Sequence, residues 1–406
     1  MTAGRLVIVG AGQAGLALAA KLRALKDERP ITMLGAEDVA PYQRPPLSKK
    51  YLSGEMEFDR LLLRVPEWFA ENAIDLRLSA FVEGIDRAKK EVKLQDGSIV
   101  SYETLVLATG ATPRTLPAEI GGDLDGVYVM RAKRDADLLE KEMKEGRRLL
   151  VIGGGYIGLE AAAVARKFGL DVTLIEMADR ILKRVASAET AAIMRDIHKE
   201  HGVTILENTG LKRLIGKEGR VVAAELSDGT VIEVDAVIVG IGVSANDQLA
   251  SDCGLDVGNG IIVDEFARTS DPSTFAVGDC ASLPWRGERV RLESVQNAID
   301  QAEAAAVVMT GQDIAYDAKP WFWSDQYDVK LQIAGFNLGF DETVLREGAR
   351  PGSVSVWYFK EGRFVAVDAI NDAKAYATGK RLLDQGREPN RDVLADSSAD
   401  LKLLLG

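Results

Sequence analysis

The sequence feature that most constrains the fold is a repeated segment. Near the start, "RLVIVGAGQAGLALAAKLRAL" has the pattern of a buried apolar strand, a glycine turn and an alanine-rich helix, and "RRLLVIGGGYIGLEAAAVARKFG" repeats that order. The first glycines of the two turns, Gly10 and Gly153, lie 143 positions apart. Each copy continues with an Asp-Gly turn between alternating segments and a buried strand, which ends at Gly110 in the first copy and at Gly242 in the second. The pattern predicts two similar nucleotide-binding domains of the α/β class.

The rest of the chain predicts how these domains are completed. A later segment, "GNGIIVDEFARTSDPSTFAVGDCASL", adds a strand and a helix start that could complete the first sheet, so the second domain would be inserted into the first. From about Lys319 the chain is rich in aromatic residues, and three of its five tryptophans lie in the last 88 residues. We therefore predict an α/β fold with two Rossmann-like domains, the first formed by residues 1–112 and 243–318 and the second by 113–242, followed by an α+β domain over 319–406.

Composition narrows the possible functions. The formal net charge of -12 argues against binding to nucleic acid or to an anionic membrane, because both need a positive surface. No run of about eighteen apolar residues occurs, so we expect neither a signal peptide nor a membrane span. The two cysteines, Cys253 and Cys280, are too far apart in sequence for a CxxC redox pair, which fits a reducing cytoplasm. The two histidines, His198 and His201, are expected to be solvated at a helix end, and no metal site is predicted.

Both glycine turns match the dinucleotide-binding fingerprint GxGxxG. In the first turn, Gly10 allows the tight bend, Gly12 lets the backbone approach a pyrophosphate and Gly15 lets the helix pack on the strand. The helix N-terminus adds a positive dipole for the anion. Because each turn follows a strand, opens a helix and recurs, we favour dinucleotide binding over plain packing. The candidate contacts are Gly10, Gly12, Ala14 and Gly15 in the first copy and Gly153, Gly155, Tyr156, Ile157 and Gly158 in the second.

Acidic residues after the next strand indicate which dinucleotide is bound. In the second copy that strand ends on Glu176, where a carboxylate would accept hydrogen bonds from a ribose 2'-hydroxyl and repel a 2'-phosphate, so NADH is preferred to NADPH. Arg180 and Arg184 follow closely. There are two alternatives for these arginines: contact with phosphate or ribose, or a solvated position at a helix start. In the first copy Glu37 is the candidate ribose contact, with an exposed loop carboxylate as the alternative.

Two dinucleotide sites in one chain suggest two dinucleotides that react with each other. A protein that binds FAD in one site and NADH in the other can pass hydride from the nicotinamide to the flavin, while the protein fixes the geometry. The ends of the buried strands add further candidates, which are Thr109 and Gly110 for FAD and Gly242 for NADH.

Several motifs resemble a known group of flavoproteins. "ATG" at 108–110, "TSDPSTFAVGDCA" at 269–281 and the paired fingerprints resemble the flavoprotein disulfide reductase superfamily, whose members bind two dinucleotides. Within it, "PPLSK", "GGGYIGLE", "ESVQNA" and "PWFWSDQY" resemble the NADH-dependent, FAD-containing ferredoxin reductases of cytochrome-type monooxygenase and aromatic dioxygenase systems. The resemblance covers nearly the whole chain. It implies electron transfer from NADH through FAD to a 2Fe-2S ferredoxin that supplies an oxygenase.

The resemblance also assigns residues to the flavin. Asp279 would hydrogen-bond the ribitol chain, with a simple helix cap as its alternative role. Trp323 would lie near the dimethylbenzene side of the ring, with ordinary core as its alternative. The other residues that would touch FAD are Arg44, Lys49, Val82, Arg131 and Val295.

The segment "PYQRPPLSKKYL" bears on how electrons leave the flavin. In the resembled superfamily, disulfide reductases carry a reactive cysteine pair on the helix after the first unit, and NADH oxidases and peroxidases carry a single cysteine near this stretch; this segment has none. Electrons would therefore leave from the flavin itself, which suits a one-electron acceptor. The prolines restrict the backbone, so the lysine after them can be held in place. By the resemblance Lys49 lies near the flavin N5 and pairs with Glu160, and these are the predicted catalytic residues; a solvated first-turn lysine is the alternative.

Two other functions stay open at this point. The chain could reduce another acceptor, such as rubredoxin, oxygen or a quinone. It could also be a flavin-based redox sensor, which would reduce slowly and hold a long-lived charge-transfer complex with NAD. One departure concerns the partner: some relatives carry an arginine on the helix after "ESVQNA", where this chain has Glu303, so a basic docking patch for an acidic ferredoxin is not inherited intact.

Overall fold

The structure is a computed structural model, and it describes residues 4–405. The chain divides into two compact units. Unit 1 comprises the chain up to Gln43, Phe58–Thr112 and Val243–Pro320. Unit 2 comprises Arg44–Glu57, Pro113–Gly242 and the chain from Trp321 onward.

The helices and strands follow one another along the whole described chain. The first part contains β1 (Leu6–Val9), α1 (Gln13–Ala24), β2 (Ile31–Leu34), α2 (Pro66–Glu71), β3 (Ile74–Arg77), β4 (Val82–Asp86), β5 (Glu91–Leu94), β6 (Ile99–Ser101), β7 (Thr104–Leu107) and β8 (Ala111–Pro113). The middle part contains β9 (Val127–Tyr128), α3 (Lys133–Glu140), β10 (Arg148–Ile152), α4 (Tyr156–Lys167), β11 (Asp171–Ile175), α5 (Ala188–Glu200), β12 (Thr204–Leu206), β13 (Leu211–Lys217), β14 (Arg220–Leu226), β15 (Val231–Glu233) and β16 (Ala236–Val239).

The last part begins with the strands that return to unit 1. It contains β17 (Val243–Ala245), α6 (Gln248–Asp252), β18 (Val257–Gly258), β19 (Gly260–Ile262), β20 (Thr274–Ala276), β21 (Ala281–Trp285), β22 (Glu288–Val290), α7 (Val295–Met309), β23 (Trp321–Gln326), β24 (Val329–Gly335), β25 (Glu342–Glu347), β26 (Val354–Lys360), β27 (Arg363–Ile370), α8 (Ala373–Gln385) and α9 (Arg391–Ala395). Short 3₁₀ helices lie at Pro45–Ser48, Phe58–Leu61, Ala118–Ile120, Gly278–Cys280 and Leu401–Leu405.

Unit 1 is built on a parallel sheet of five strands in the order β20, β7, β1, β2, β3. Every residue of β1 and β2 is buried, which is typical of a parallel strand covered on both faces. Helices α1 and α7 pack together and share one apolar core with the sheet. The returning strand β20 pairs with β7, so the late segment completes the first sheet as the sequence predicted.

Unit 2 contains a second parallel sheet, in the order β12, β11, β10, β16, β9. Its first four strands match β3, β2, β1 and β7 of the other sheet in their order along the chain and in the sheet. The fifth strands come from different parts of the chain. Strand β9 precedes the other four strands of its sheet in the sequence, whereas β20 follows the other four strands of its sheet. A three-stranded antiparallel sheet accompanies each copy, β4–β6 in unit 1 and β13–β15 in unit 2.

The C-terminal part of unit 2 is an antiparallel sheet of five strands in the order β23, β24, β27, β26, β25. Its core holds Trp357 and Phe359 from β26, together with Leu382 of α8 and Leu404 near the chain end. The predicted fold class, two Rossmann-like sheets with an added α+β part, is confirmed.

Candidate functional site

The first glycine turn, between β1 and α1, leaves an open space beside Gly12. A Cβ atom on Gly10 would lie 2.1 Å from the Ala108 carbonyl oxygen, and one on Gly15 would lie 2.1 Å from the Gly10 carbonyl oxygen. A Cβ on Gly12 would meet no atom within 4 Å. Gly10 and Gly15 are therefore needed for backbone packing. No protein atom requires a glycine at position 12, so the open space beside Gly12 is available to a ligand. This space, at the N-terminus of α1, fits the pyrophosphate of a dinucleotide.

The second turn, between β10 and α4, repeats this arrangement. A Cβ on Gly153 would lie 2.4 Å from the Gly240 carbonyl oxygen, and one on Gly158 would lie 2.2 Å from the Gly153 carbonyl oxygen. A Cβ on Gly155 would meet no atom within 4 Å. The residues of both turns thus fit the dinucleotides predicted for them.

Glu176 directly follows β11 and is oriented by the backbone around it. Its Oε2 accepts a hydrogen bond from the Gly154 amide at 2.8 Å, and its Oε1 accepts one from the Ala178 amide at 2.8 Å. Each carboxylate oxygen keeps a further lone pair, which a ribose hydroxyl could use. Gly154 belongs to the second glycine turn, so this turn and the carboxylate form one arrangement.

The two arginines after Glu176 have different environments. Arg184 extends toward Gly242, where a Cβ would lie 3.3 Å from its Nη2 atom, so two predicted NADH contacts are neighbours. The Arg180 guanidinium donates instead to the carbonyl oxygens of Ala186 at 2.9 Å and Ser187 at 3.2 Å. Arg180 therefore braces the loop before α5 and is only partly exposed.

The remaining candidates of the second fingerprint lie at the start of α4. Ile157 is exposed, and the Tyr156 ring packs against Phe322 with 5.0 Å between ring centroids. The Tyr156 hydroxyl is buried and has no hydrogen-bond partner within residues 4–405. Burial is the largest cause that raises the pKa of Tyr156 far above its ordinary value, so the hydroxyl stays protonated and can donate.

In unit 1 the candidates near the first turn contact their own surroundings. Ala14 lies beside Gly278, where a Cβ would be 3.0 Å from the Ala14 Cβ, so the turn that carries Asp279 adjoins α1. Thr109 donates from its hydroxyl to the Asn246 carbonyl oxygen at 2.6 Å. The Gly110 carbonyl oxygen accepts a hydrogen bond from the Asn246 amide at 3.0 Å.

The other candidates of unit 1 are spread over several elements. Glu37 accepts a hydrogen bond of 2.6 Å from the Tyr42 hydroxyl. Val82 is buried at the first position of β4, and Val295 is the first residue of α7. Asp279 lies in the short 3₁₀ helix after β20. At Glu303, the position of the departure from the resembled family, the carboxylate is paired with Lys21 at 3.2 Å.

In unit 2 the structure brings Lys49 and Glu160 together. The Lys49 Nζ lies 3.0 Å from the Glu160 Oε1. Pro45 and Pro46 begin the 3₁₀ helix, and the Lys49 amide closes it on the Pro46 carbonyl oxygen at 3.0 Å, which fixes the backbone from which Lys49 extends. Glu160 lies on α4, the helix opened by the second fingerprint. The proline-stiffened segment thus holds its lysine against the helix that follows the second glycine turn.

Two serines that the sequence analysis missed complete the surroundings of Glu160. Ser48 donates to Glu160 Oε2 at 3.0 Å, and Ser324 of β23 donates to Oε1 at 2.7 Å. The carboxylate is only 5 % exposed, and burial raises its pKa, which the charge of Lys49 and the hydrogen bonds of both serines oppose. Ser324 lies inside the motif "PWFWSDQY", so the sequence marked this segment as important. The contact of Ser324 with α4 could not be predicted from the motif.

The other flavin candidates of unit 2 are Arg44, Arg131 and Trp323. The two arginines contact each other, whereas Trp323 lies beside another tryptophan. The Arg44 guanidinium donates to the Arg131 carbonyl oxygen at 3.0 Å. Trp323 is partly buried and lies 5.5 Å from Trp321 between ring centroids.

The polar and sulfur-bearing residues that could hold a metal or relay electrons are limited. No group of three or more potential metal ligands occurs in residues 4–405. The Cys280 thiol is buried in unit 1, where burial raises its pKa, and burial is also the largest cause that raises the pKa of Cys253. Both sulfurs are therefore protonated thiols and poor nucleophiles at neutral pH.

One expectation about the histidines is wrong. His198 is fully buried and is not a solvated residue at a helix end, whereas His201 is exposed. His198 lies in the last turn of α5 on the face that points inward, and its ring nitrogens contact Gln326 and Tyr327. None of the described helices is both long and apolar enough to cross a bilayer.

Comparison with known protein families agrees with this geometry. Residues 4–302 match the model of the family described as pyridine nucleotide-disulphide oxidoreductase, and residues 321–405 match the family described as reductase C-terminal. The chain belongs to the pyridine nucleotide-disulphide oxidoreductase family. As a member of this family it is a flavoprotein oxidoreductase that uses FAD and a pyridine nucleotide.

Similar proteins match this chain over nearly its whole length. Rhodocoxin reductase of Rhodococcus erythropolis is 42% identical over 402 residues, which is 98% of this chain and 94% of that protein. The 5,5'-dehydrodivanillate O-demethylase ferredoxin reductase subunit of a Sphingobium species is 42% identical over 402 residues, 98% of this chain and 97% of that protein. The crystal structure of a covalent putidaredoxin reductase-putidaredoxin complex matches with a TM-score of 0.96 and 38% identity, covering 100% of this chain and 99% of that one.

Proposed function

We propose that this chain is an NADH:ferredoxin reductase that supplies electrons to a monooxygenase or dioxygenase system through a 2Fe-2S ferredoxin. The overall reaction oxidises one NADH to NAD⁺, reduces two ferredoxins by one electron each and releases one proton. Bound FAD supplies the chemistry that accepts a hydride and gives up single electrons. Relatives named as ferredoxin reductases at 42% identity support the acceptor class.

Different residues are proposed to bind the two dinucleotides. We propose that the first glycine turn and Glu37 hold FAD, and that the second turn, Glu176, Arg184 and Gly242 hold NADH. The Glu176 carboxylate would bind the ribose hydroxyls and repel a 2'-phosphate, which supports NADH as the preferred donor. The other residues predicted to contact FAD remain part of this proposal.

We propose that Lys49 and Glu160 are the catalytic pair. A lysine charge beside the reacting atoms would stabilise negative charge that develops on reduction, and the buried partner Glu160 keeps that ammonium oriented and charged. The domain division into residues 1–112 with 243–318, 113–242 and 319–406 belongs to the same proposal. So does a cytoplasmic location, which the two free cysteines support.

One observation carries the choice of acceptor. The segment that presents Lys49 contains no cysteine, and the two cysteines of the chain are free thiols that do not form a disulfide, which supports an electron path without a protein sulfur. On such a path electrons leave the flavin directly, and they must leave singly if the acceptor is a 2Fe-2S centre.

The test is anaerobic stopped-flow absorbance with the flavin-loaded protein. NADH is mixed first and a 2Fe-2S ferredoxin second, and the same experiment is run on the cysteine-free variant Cys253→Ala/Cys280→Ala. We expect rapid loss of flavin absorbance, then reduction of two ferredoxins per NADH, with rates in the variant within about twofold of the parent protein.

Each other outcome points to a named alternative. Fast NADH oxidation by rubredoxin, oxygen or a quinone, without ferredoxin reduction, would assign another acceptor. Slow reduction with a persistent long-wavelength band would assign a redox sensor. Loss of ferredoxin reduction in the cysteine-free variant, with its flavin content unchanged, would show that a sulfur takes part.

A further inference from the structure

A line of buried polar side chains leads away from Glu160 within unit 2. Ser324 donates to Glu160 Oε1 at 2.7 Å, the Gln326 Nε2 donates to the Ser324 hydroxyl at 3.0 Å, and the Gln326 Oε1 lies 2.6 Å from the His198 Nε2. Beyond His198, the Tyr327 hydroxyl lies 3.0 Å from the other ring nitrogen, Nδ1. Four hydrogen bonds thus connect the carboxylate with a tyrosine at the turn between β23 and β24.

The direction of every proton in this line follows from the charge of Glu160. An ionised carboxylate only accepts, so the single hydroxyl proton of Ser324 points at it, and the Ser324 oxygen must accept from the Gln326 amide nitrogen. The Gln326 oxygen then faces His198, which must donate from Nε2. A neutral imidazole has one remaining acceptor, Nδ1, and the Tyr327 hydroxyl donates to it.

Packing keeps these groups in place. Ser324 and Gln326 are two positions apart on β23 and share its inward face, and both are buried, as is His198. Tyr327 has a φ of 57°, an unusual conformation for an aromatic residue, and its ring stacks on His201 with 3.7 Å between centroids. The line is therefore built into the turn and is not a chance contact of flexible side chains.

The charged and titratable groups around the line are few. Lys49 faces Glu160, and His201 and Tyr327 face His198, with Arg166 near the Tyr327 ring. Burial is the main cause that lowers the pKa of His198 to about 4, so its ring is neutral at physiological pH, as the direction of the line requires.

We propose that Ser324, Gln326 and His198 are positioning residues, which hold Glu160 ionised and turned toward Lys49 by a one-way chain of donors. Aligned hydrogen bonds polarise one another, so each donor strengthens the next one toward the carboxylate. Tyr327 completes the line, because its hydroxyl donates to the Nδ1 that this tautomer of His198 leaves as an acceptor. The line conveys no proton, because an amide passes one only through its unfavourable imidic acid form. The proposal rests on the proposed function in so far as Lys49 and Glu160 serve catalysis.

The first test observes the line itself and does not depend on turnover. The chain has only two histidines, so ¹⁵N-histidine NMR of the holoenzyme gives two pairs of ring-nitrogen signals, and the His201→Gln variant assigns them. We expect His198 in the Nε2–H tautomer and without titration from pH 5.5 to 8. A protonated ring, or a ring with its proton on Nδ1, would overturn the proposal. Tyr327→Phe should keep the Nε2–H tautomer, because Gln326 still accepts from Nε2, and should change only the Nδ1 chemical shift.

The second test connects the line to Glu160. Ser324→Ala removes the last donor, and Ser355→Ala is the matched control, since Ser355 is an equally buried serine of the same sheet that bonds only to the Trp357 indole among the contacts described. We expect Ser324→Ala to move the acidic limb of the pH profile for flavin reduction by NADH upward by about one pH unit, while Ser355→Ala leaves it in place.

The two tests separate the possible failures. Equal pH profiles for both serine variants would overturn the positioning role even if the NMR result holds. If the tautomer and the pH shift are as expected but ferredoxin is not reduced, the line stands and only the proposed acceptor fails.

Discussion

The Glu160 carboxylate is buried and yet has three donors, the ammonium of Lys49 and the hydroxyls of Ser48 and Ser324. Each of them stabilises the ionised form, whereas burial alone favours the neutral acid. A buried pair of this kind contributes little net stability while intact, but removal of one partner leaves an uncompensated charge. The Lys49 side chain therefore stabilises the ionised state of Glu160, apart from the flavin role proposed for it.

Lys49→Met should destabilise the protein in a pH-dependent way. Without the ammonium, the folded-state pKa of Glu160 rises further above its unfolded value. Stability attributable to this residue is then present below the unfolded pKa and lost as pH rises through the folded pKa. We expect a loss of about 3 kcal/mol at pH 8 and a loss smaller by about 1 kcal/mol or more at pH 5, measured by urea unfolding. Lys50→Met, at an exposed neighbouring position, should change little at either pH. Equal losses at both pH values for Lys49→Met would contradict this reasoning.

Glu176 should control the choice of nicotinamide cofactor. Glu176→Gln keeps the length of the side chain and one acceptor for the backbone, but it removes the negative charge. We expect kcat/KM for NADH to fall by roughly tenfold, equivalent to ~1.4 kcal/mol, and the preference over NADPH to shrink by at least that factor. Asp179→Asn, on an exposed carboxylate that pairs with Lys183, is the control. An unchanged ratio between the two cofactors would remove Glu176 from the ribose site.

At the scale of whole elements, the strand, glycine turn and helix are the part that the sequence could predict. Their signals are local, because an apolar run such as β1 needs only its own residues to be recognised and the turn follows at once. The surroundings of Glu160 could not be predicted in the same way. Ser48 and Ser324 reach it from 112 and 164 positions away in the chain, and no periodicity reports such contacts.

The buried state of His198 was missed for a related reason. A helix-end histidine next to polar residues has the local pattern of a solvated side chain. The contact that helps to bury His198 comes from Gln326, which lies 128 positions later in the chain. The chain of donors is a property of how β23 meets α5, so it becomes visible in three dimensions alone.

Within each strand–turn–helix element, the glycines should separate into two classes. Gly12→Ala and Gly155→Ala add a methyl group where no atom lies within 4 Å, so both variants should fold with melting temperatures close to the parent. We expect Gly12→Ala to lose most of its flavin absorbance. Gly155→Ala should remain yellow but show a KM for NADH raised tenfold or more, because the methyl group takes the space of the pyrophosphate.

The structural glycines of the same turns serve as the contrast. Gly15→Ala and Gly158→Ala would place a Cβ within 2.1 Å and 2.2 Å of a backbone oxygen, so we expect them to lower the melting temperature or abolish folding. Calorimetry together with the flavin absorbance of purified protein distinguishes the classes. If Gly12→Ala bound FAD normally, the open space beside Gly12 would not be the pyrophosphate site.

For the molecule as a whole, a buried acid in the C-terminal sheet should make stability depend on pH. Asp368 is 1% exposed, and it accepts hydrogen bonds from Tyr358 and from Thr190 of α5. Burial is the largest cause that raises the pKa of Asp368 from 3.8 to about 6, partly offset by these two donors. A raised pKa means that the folded state binds the proton more tightly than the unfolded state, so stability is lost as pH rises toward the folded value.

Asp368→Asn should flatten this dependence. Between pH 5 and pH 8 the parent protein is expected to lose about 1.4 kcal/mol through Asp368, whereas the amide does not titrate. The measurement is the difference in unfolding free energy between variant and parent at the two pH values, which cancels the other titrating groups. The unfolding free energy of the parent minus that of the variant should be about 1.4 kcal/mol larger at pH 5 than at pH 8. A difference that stays constant, or that is smaller at pH 5, would show that Asp368 is already ionised in the folded protein at pH 5.

The return of the chain to unit 1 also determines the order in which the two sheets can fold during synthesis. Strand β20 pairs with β7, and α7 packs on α1, where Lys21 and Glu303 meet across 282 positions. The inserted parallel sheet needs only residues 127–239, so on a ribosome its last strand emerges before the first sheet has its fifth. A growing polypeptide should therefore acquire its nicotinamide-binding part first and its flavin last, and a chain stalled before residue 274 should be colourless.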